Sequence, residues 1–180
     1  MSTDPCRRLS RFWQGSARPR PARLAALAIG LGLLAGVVLA QGQAGPPERD
    51  AGGNIVFRHA LDNQPIEFTY RSEQAITPAV EQFHKTAANA YSRDPDAIAA
   101  GKATYAKLCQ ACHLPDGAGR IGPSLVDGKG ARARTGSELG RFEIIYAGGA
   151  GAMQAFGRRL DQDQILQVMA YLEVLREAAD

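Results

Sequence analysis

The sequence predicts an all-α domain preceded by an irregular N-terminal extension, and three observations lead to that fold class. Four segments after residue 76 begin with helix start signals and then carry apolar side chains at spacings of three or four. No strand pattern follows residue 94. The stretch KLCQACHLPDGAGRIGPSL, residues 107–125, places two cysteines at the end of one predicted helix. We therefore expect a helical domain with its chemistry at that helix end.

The first 40 residues are predicted to be a signal peptide or a membrane anchor. Residues 1–23 contain six arginines against one acidic residue, and residues 24–40 contain no charged or polar side chain. A basic flank before an apolar run is typical of both kinds of segment. The run of 17 residues is long for a signal peptide and short for a transmembrane helix, so both interpretations remain open. Each predicts a periplasmic protein, either soluble or anchored to the inner membrane.

The positive net charge belongs to this N-terminal segment. The whole chain has a formal net charge of +3, whereas the residues after 40 carry 15 basic and 17 acidic side chains, a formal net charge of −2. Nucleic-acid binding proteins usually present a strongly basic surface. The composition therefore gives no support to a nucleic-acid partner.

The rest of the chain divides by composition into three parts. Residues 41–53 are rich in glycine, proline and charge, which is typical of a tether. Residues 54–93 form an extension in which apolar runs broken by DNQP predict a small hairpin or an extended wrap. Later in the extension, Thr77 followed by Pro78 predicts the start of a short helix. Residues 94–180 form the predicted helical domain.

Three helix starts are predicted in that domain. The first lies at Asp94, and its helix leads into the cysteine stretch. The second has a capping-box pattern in which Thr135 is followed by Glu138. The third has the same kind of pattern, with Asp161 followed by Gln164.

The first and last helices of the domain are predicted to cross closely. Gly101 and Tyr105 on the first, with Tyr171 and Leu172 on the last, combine a small residue that permits close approach with larger side chains that fill the contact. Met169 lies on the apolar face of the last helix, a position typical of a core methionine.

Paired thiols such as Cys109 and Cys112 occur in four kinds of site: a disulfide, a redox dithiol, a zinc site and a haem attachment site. A redox dithiol follows a strand and starts a helix, whereas this pair ends one. Zinc would need the distant His59 or His84, which are more typical of surface or core positions. The CxxCH pattern completed by His113 is that of c-type haem, whose vinyl groups react with the two thiols while the histidine binds iron. One covalent haem c is therefore predicted.

With this motif, residues 94–175 resemble the class I cytochromes c. The resemblance implies the class I cytochrome c fold, with His113 as one axial iron ligand and Met153 as the other. It also implies that the carbonyl of Pro123, in IGPSL, fixes the histidine ring. Gln154 stands where the family usually has proline.

The wider chain resembles the cytochrome c-L group, which accepts electrons from quinoprotein methanol dehydrogenases. The similar parts are TPAVxxF at 77–83, the turn through Thr86, Asn89 and Tyr91, and LGRF with IYAGG between 139 and 149. VDGKGARARTG replaces an aromatic segment of that group. The resemblance implies an electron donor, a quinoprotein (PQQ) methanol or alcohol dehydrogenase, and an acceptor, another cytochrome or a terminal oxidase.

Two other functional classes stay open. One is a general cytochrome shuttle of a respiratory chain, and the other is a haem enzyme or sensor with an open iron. The latter requires that Met153 does not bind, because two axial ligands leave no iron position for a substrate. We therefore expect an electron carrier and not an enzyme.

The basic loop before the second domain helix also has two interpretations. Arg132 and Arg134 fit a solvated loop. Alternatively, one of them binds a haem propionate, since a guanidinium can donate two parallel hydrogen bonds to a carboxylate.

Overall fold

Helices make up the regular structure of the computed structural model, which describes residues 46–70, 73–74, 76–128 and 133–179. Those ranges contain one 3-10 turn, Ala133–Gly136, and the α-helices α1 (Pro78–Thr86), α2 (Pro95–Leu108), α3 (Gln110–His113), α4 (Glu138–Ala147) and α5 (Gln162–Glu177). Pairing between extended segments in the same ranges is limited to isolated bridges. The predicted all-α class is therefore confirmed. No helix within the described ranges has the length and apolar character needed to cross a bilayer.

The starts of α1 and α2 follow the predicted capping chemistry. The hydroxyl of Thr77 accepts a hydrogen bond from the Val80 amide at 3.3 Å, and Pro78 occupies the first turn, where a missing N–H costs nothing. The carboxylate of Asp94 accepts from the first-turn amides of Asp96 and Ala97, each at 2.9 Å.

The starts of α4 and α5 differ in how well the sequence predicted them. Asp161 and Gln164 form the reciprocal capping box of α5, at 2.8 and 3.1 Å. The capping box predicted for α4 was wrong, because the hydroxyl of Ser137 caps the helix by accepting from the Gly140 amide at 3.0 Å. Glu138 instead accepts a hydrogen bond from the backbone of a distant residue, described below with the extension.

α2 and α5 cross at Gly101, as predicted. A Cβ atom at this position would overlap the backbone carbonyl of Gln167, so only glycine permits the approach. The rings of Tyr105 and Tyr171 meet edge to face beside the crossing, with centroids 5.4 Å apart. The two helices that begin and end the domain are thus packed directly on each other.

The extension is tied to the helices by backbone hydrogen bonds and an aromatic core. A tight turn is closed by hydrogen bonds from His59 N to Gln64 O and from Ile66 N to Phe57 O, each 2.8 Å long. Further along, the amide of Asn89 donates to the carboxylate of Glu138 at 2.9 Å. The aromatic cluster consists of Phe57, Phe68, Phe83, Phe142 and Tyr146, whose neighbouring ring centroids are about 5 to 6 Å apart.

His84 lies at the edge of the aromatic cluster and is hydrogen-bonded. Its Nε2 atom donates to Oε1 of Gln162 at 2.6 Å, and its ring lies 4.8 Å from both Phe57 and Phe68. Burial lowers the pKa of this imidazole, and the hydrogen bond to Gln162 opposes that shift. The prediction of a satisfied packing histidine is confirmed.

Candidate haem site

The junction of α2 and α3 positions the two thiols and the histidine on one tight turn. Cys109 ends α2 by donating its amide to Tyr105 O at 2.8 Å, and its own carbonyl accepts from the amides of Cys112 and His113 at 3.1 and 3.0 Å. Neither thiol is in a disulfide. Burial raises the pKa of the Cys109 thiol to about 11, so the thiol is protonated near neutral pH. No cluster of three or more metal-ligating side chains is present in the described part of the chain, which disfavours the zinc interpretation.

His113 is held in a fixed orientation by the loop that follows it. Its side chain is buried, and its Nδ1 atom lies 2.9 Å from the carbonyl oxygen of Pro123. A carbonyl can only accept, so Nδ1 carries the proton and Nε2 is left with a lone pair. The backbone of Gly122 lies so close to the ring that a Cβ atom at this position would come within 2.8 Å of Nδ1. The predicted contact between Pro123 and His113 is therefore present.

Met153 reaches the same region from the loop between α4 and α5. Gly148 has a φ of +90°, and the amide of Gly149 donates to Met153 O at 3.0 Å. A Cβ atom on Gly149 would lie 3.4 Å from the Met153 sulfur, so the backbone of Gly149 lies close beside that side chain. Met169, by contrast, is 3% exposed in the core, as predicted.

One cleft contains all of these side chains. Two adjoining cavities, of about 100 and 200 Å³, are both lined by Cys109, His113, Pro123 and Met153. We call the larger one the cysteine end, since it also contains Cys112, and the smaller one the inner end. The remaining walls are mainly apolar. An apolar slot with two free thiols, an imidazole and a thioether in its walls fits a covalently attached haem.

The two arginines predicted for a propionate have different outcomes. Arg132 lies outside the described residues. Arg134 donates from Nε and Nη2 to the two carboxylate oxygens of Glu143, the latter at 2.8 Å. Glu143 is fully buried and also accepts from the amide of Arg58 at 2.7 Å. The hydrogen bonds to Glu143 raise the pKa of Arg134. The structure thus brings Arg134 to a protein carboxylate and not into the wall of the cleft.

Two other arginines, Arg141 of α4 and Arg176 of α5, line the inner end, and sequence reasoning missed both. Their helical spacing carried a signal. Arg141 is four residues before Ile145, and Arg176 is four residues after Leu172, and both of these apolar residues line the same cavity.

Comparisons with known proteins agree with this site. Cytochrome c-L of Methylorubrum extorquens is 31% identical over 150 residues, which cover 81% of this chain and 74% of that protein. The chain belongs to the cytochrome c-L family. It is accordingly a c-type cytochrome, an electron carrier whose family binds haem c covalently.

Solved structures and a domain family give the same result. Cytochrome cL of the marine methylotroph Methylophaga aminisulfidivorans is 31% identical with a TM-score of 0.64, covering 66% of this chain and 79% of that one. Cytochrome cL of Hyphomicrobium denitrificans is 29% identical with a TM-score of 0.63, covering 66% and 72%. Residues 96–172 also match the family described as cytochrome c oxidase, cbb3-type, subunit III. The class I cytochrome c fold is thereby confirmed.

Proposed function

We propose that this chain is a periplasmic one-electron carrier that takes electrons from a quinoprotein methanol or alcohol dehydrogenase and passes them to another cytochrome or a terminal oxidase. Cys109 and Cys112 bind one haem covalently, and His113 and Met153 are its axial ligands. The observation that carries this proposal is the meeting of all four side chains in one cleft, although Met153 is forty residues from the histidine.

The residues around the iron position favour electron transfer over catalysis. When bound, haem supplies a one-electron iron couple. The Pro123 carbonyl keeps the proton of His113 on Nδ1, which directs Nε2 into the cleft and increases its basicity as a ligand. The thioether of Met153 favours the reduced state and raises the potential. Were His113 and Met153 both to hold the iron, no coordination position would remain for a substrate.

The cysteine end of the cleft offers a surface for electron exchange. Ile121 is 67% exposed at its rim, and Ala150 and Ala152 line the same opening. Small apolar rims suit transient complexes because they need little desolvation of charge. The residues after 40 also carry a formal net charge of only −2, so net charge contributes little long-range attraction or repulsion toward a partner.

The N-terminal part of the chain completes the proposal. Residues 1–40 act as a signal peptide or an inner-membrane anchor, and residues 41–53 connect them to the folded part. The extension at 54–93 precedes the cytochrome domain at 94–180. The support for this division is the arginine-rich flank and the uncharged run at 24–40.

The experiment that tests the donor is stopped-flow mixing of the oxidised holoprotein with a substrate-reduced quinoprotein methanol dehydrogenase. We expect reduction that saturates with dehydrogenase concentration and is much faster than that of an unrelated class I cytochrome c of similar potential. Equal rates for the two cytochromes would indicate a general shuttle.

The proposed axial ligand is tested with a matched pair of methionine variants. Met153→Ala is expected to lower the midpoint potential and to remove the weak long-wavelength band that a thioether ligand gives to oxidised haem. Met169→Leu conserves volume in the core and is expected to leave both unchanged, with a stability loss below about 1.5 kcal/mol. An unchanged spectrum in Met153→Ala would instead support an open iron or another ligand.

A further inference from the structure

The inner end of the cleft places two arginines in an otherwise mainly apolar wall. Arg141 and Arg176 line it together with side chains such as Tyr105, Ile144 and Leu172. Among the described residues, the lining of this cavity includes no aspartate or glutamate. Guanidinium groups are costly to remove from water without an anionic partner. The two arginines are half-buried, so the charge pattern of the cavity favours an anion.

The two cations are close enough to affect each other. Burial lowers the pKa of Arg141, and the positive charge of Arg176 lowers it further. Glu138 and Glu173 act in the opposite direction, but neither lines the cavity. Arg141 donates one hydrogen bond of 3.3 Å, from Nη1 to the backbone carbonyl of Gly136. The ion pairs found between described side chains, Arg58–Glu48 and Arg134–Glu143, include neither residue.

The direction of the cleft identifies the anion. The vinyl groups that react with Cys109 and Cys112 lie on one edge of a haem, and the two propionates lie on the opposite edge. Cys109 lines both ends and Cys112 lines only the cysteine end, whereas Arg141 and Arg176 line only the inner end. A haem attached through the two thiols thus presents its carboxylates toward the end of the cleft that contains the arginines.

We infer that Arg141 and Arg176 bind the haem propionates and thereby raise the midpoint potential of the haem. The inference rests on the proposed attachment at Cys109 and Cys112, which fixes the direction of the haem. A guanidinium donates two parallel hydrogen bonds to a carboxylate, which suits Arg141 on α4 and Arg176 on α5 to join two helices through one cofactor. A fixed cation disfavours the oxidised, more positive haem, so both residues favour the reduced state.

A structural role for Arg176 makes a different prediction. It lies in the last turn of α5, where a cation stabilises the helix by its interaction with the helix dipole. That interaction would affect thermal stability but not the potential. The potential therefore separates the two roles.

The test uses the full holoprotein with Arg141→Gln, Arg176→Gln, the charge-conserving Arg141→Lys, and Arg158→Gln as a matched control, since Arg158 is exposed and outside the cavity lining. We expect each cleft variant to Gln to lower the equilibrium constant for reduction by roughly threefold to tenfold, a tenfold change being about 59 mV for one electron. Arg141→Lys should recover most of that change. Redox-difference infrared spectra should show shifted propionate carboxylate bands in the two Gln variants and unshifted bands in Arg158→Gln.

Potentials and carboxylate bands that match those of Arg158→Gln in both cleft variants would overturn the inference. If Arg141→Gln yields no holoprotein, Arg176→Gln provides the same measurements. The visible spectrum, which reports covalent attachment and axial ligation, is recorded for every variant. A wild-type protein without the thioether-linked spectrum would contradict the proposed site itself, whereas a normal spectrum with unchanged potentials would contradict only the arginine assignment.

Discussion

The aromatic cluster and the haem cleft differ in whether protein side chains alone provide all the packing and polar contacts of the region. The cluster packs its rings on each other, and His84 at its edge has a hydrogen-bond partner. The cleft has half-buried free thiols and two neighbouring cations in a mainly apolar wall. α4 contributes to both, since Phe142 lies in the cluster and Ile144 lines the cleft. The aromatic cluster is therefore a core built from side chains alone, whereas the haem cleft is a core that needs its cofactor to be fully packed.

The largest expected effect comes from removing the covalent attachment in the cleft. Cys109→Ser or Cys112→Ser should leave little stable holoprotein, because a bound cofactor stabilises the folded state and a small domain has few other contacts to replace it. Haem-stained gels and the yield of folded protein measure the effect. A normal yield of folded, haem-free double variant would show that the cleft is complete without haem, which would remove the contrast between the two regions.

The next largest effect is expected in the aromatic cluster. Phe142 has no exposed surface, and Phe142→Ala should lower the free energy of unfolding by about 3 to 5 kcal/mol. Denaturant unfolding followed by circular dichroism measures this loss, with Phe142→Leu as a smaller volume change. The midpoint potential should stay at the wild-type value. A potential that fell together with stability would mean that the cluster and the cleft are not separate.

A smaller loss is expected at the ion pair of Arg134. Arg134→Gln removes the two guanidinium hydrogen bonds from a fully buried carboxylate, Glu143, and should cost about 3 kcal/mol. Since Arg134 does not line the cleft, the midpoint potential should not change. A lower potential with unchanged stability would return Arg134 to the propionate role that the sequence suggested.

The smallest expected effect is a pH dependence at the edge of the cluster. The groups against His84 are the neutral side chains of Gln162, Phe57 and Phe68, and burial lowers its pKa in the folded state. As the pH falls below about 6.5, the ordinary value for histidine, the unfolded chain takes up the proton more readily than the folded one. The free energy of unfolding should therefore decrease with acidification through that range. His84→Gln should flatten this dependence between pH 7 and pH 5, and an unchanged slope would contradict the assignment.

Local signals predicted the helices, and distant contacts produced the errors. Thr77, Asp94 and Asp161 start helices as their side chains suggested, because a cap needs only amides within three residues. The α4 cap differs because Ser137 is the N-cap, which makes Glu138 the first helical residue and not the third, so it cannot complete a capping box with Thr135. The Glu138 carboxylate instead accepts a hydrogen bond from the Asn89 amide, a contact between distant parts of the chain that no pattern in the sequence shows.

In the candidate site, too, local motifs predicted their residues correctly, whereas a residue whose contact depends on tertiary packing was not predicted. The CxxCH motif and IGPSL place Cys109, Cys112, His113 and Pro123 within one stretch of fifteen residues, so these two motifs predict the cluster. Arg134 was a propionate candidate because it lies in a basic loop. Its partner in the structure is Glu143, a buried carboxylate on α4, and only tertiary packing reveals this contact.

The crossing at Gly101 also bears on the order in which haem attachment and helix docking occur. Before the chain folds, the attachment motif at residues 109–113 lacks one wall of the cleft, because α5 supplies part of that wall through Val168 and Leu172. α5 reaches its place only when it docks on α2, a contact between the two ends of the domain. Contacts between distant parts of a chain form slowly because a long loop must close first. Until α5 docks on α2, the cleft is therefore open on the side that α5 later covers, and haem can reach the two thiols from that side. Docking of α5 closes this route.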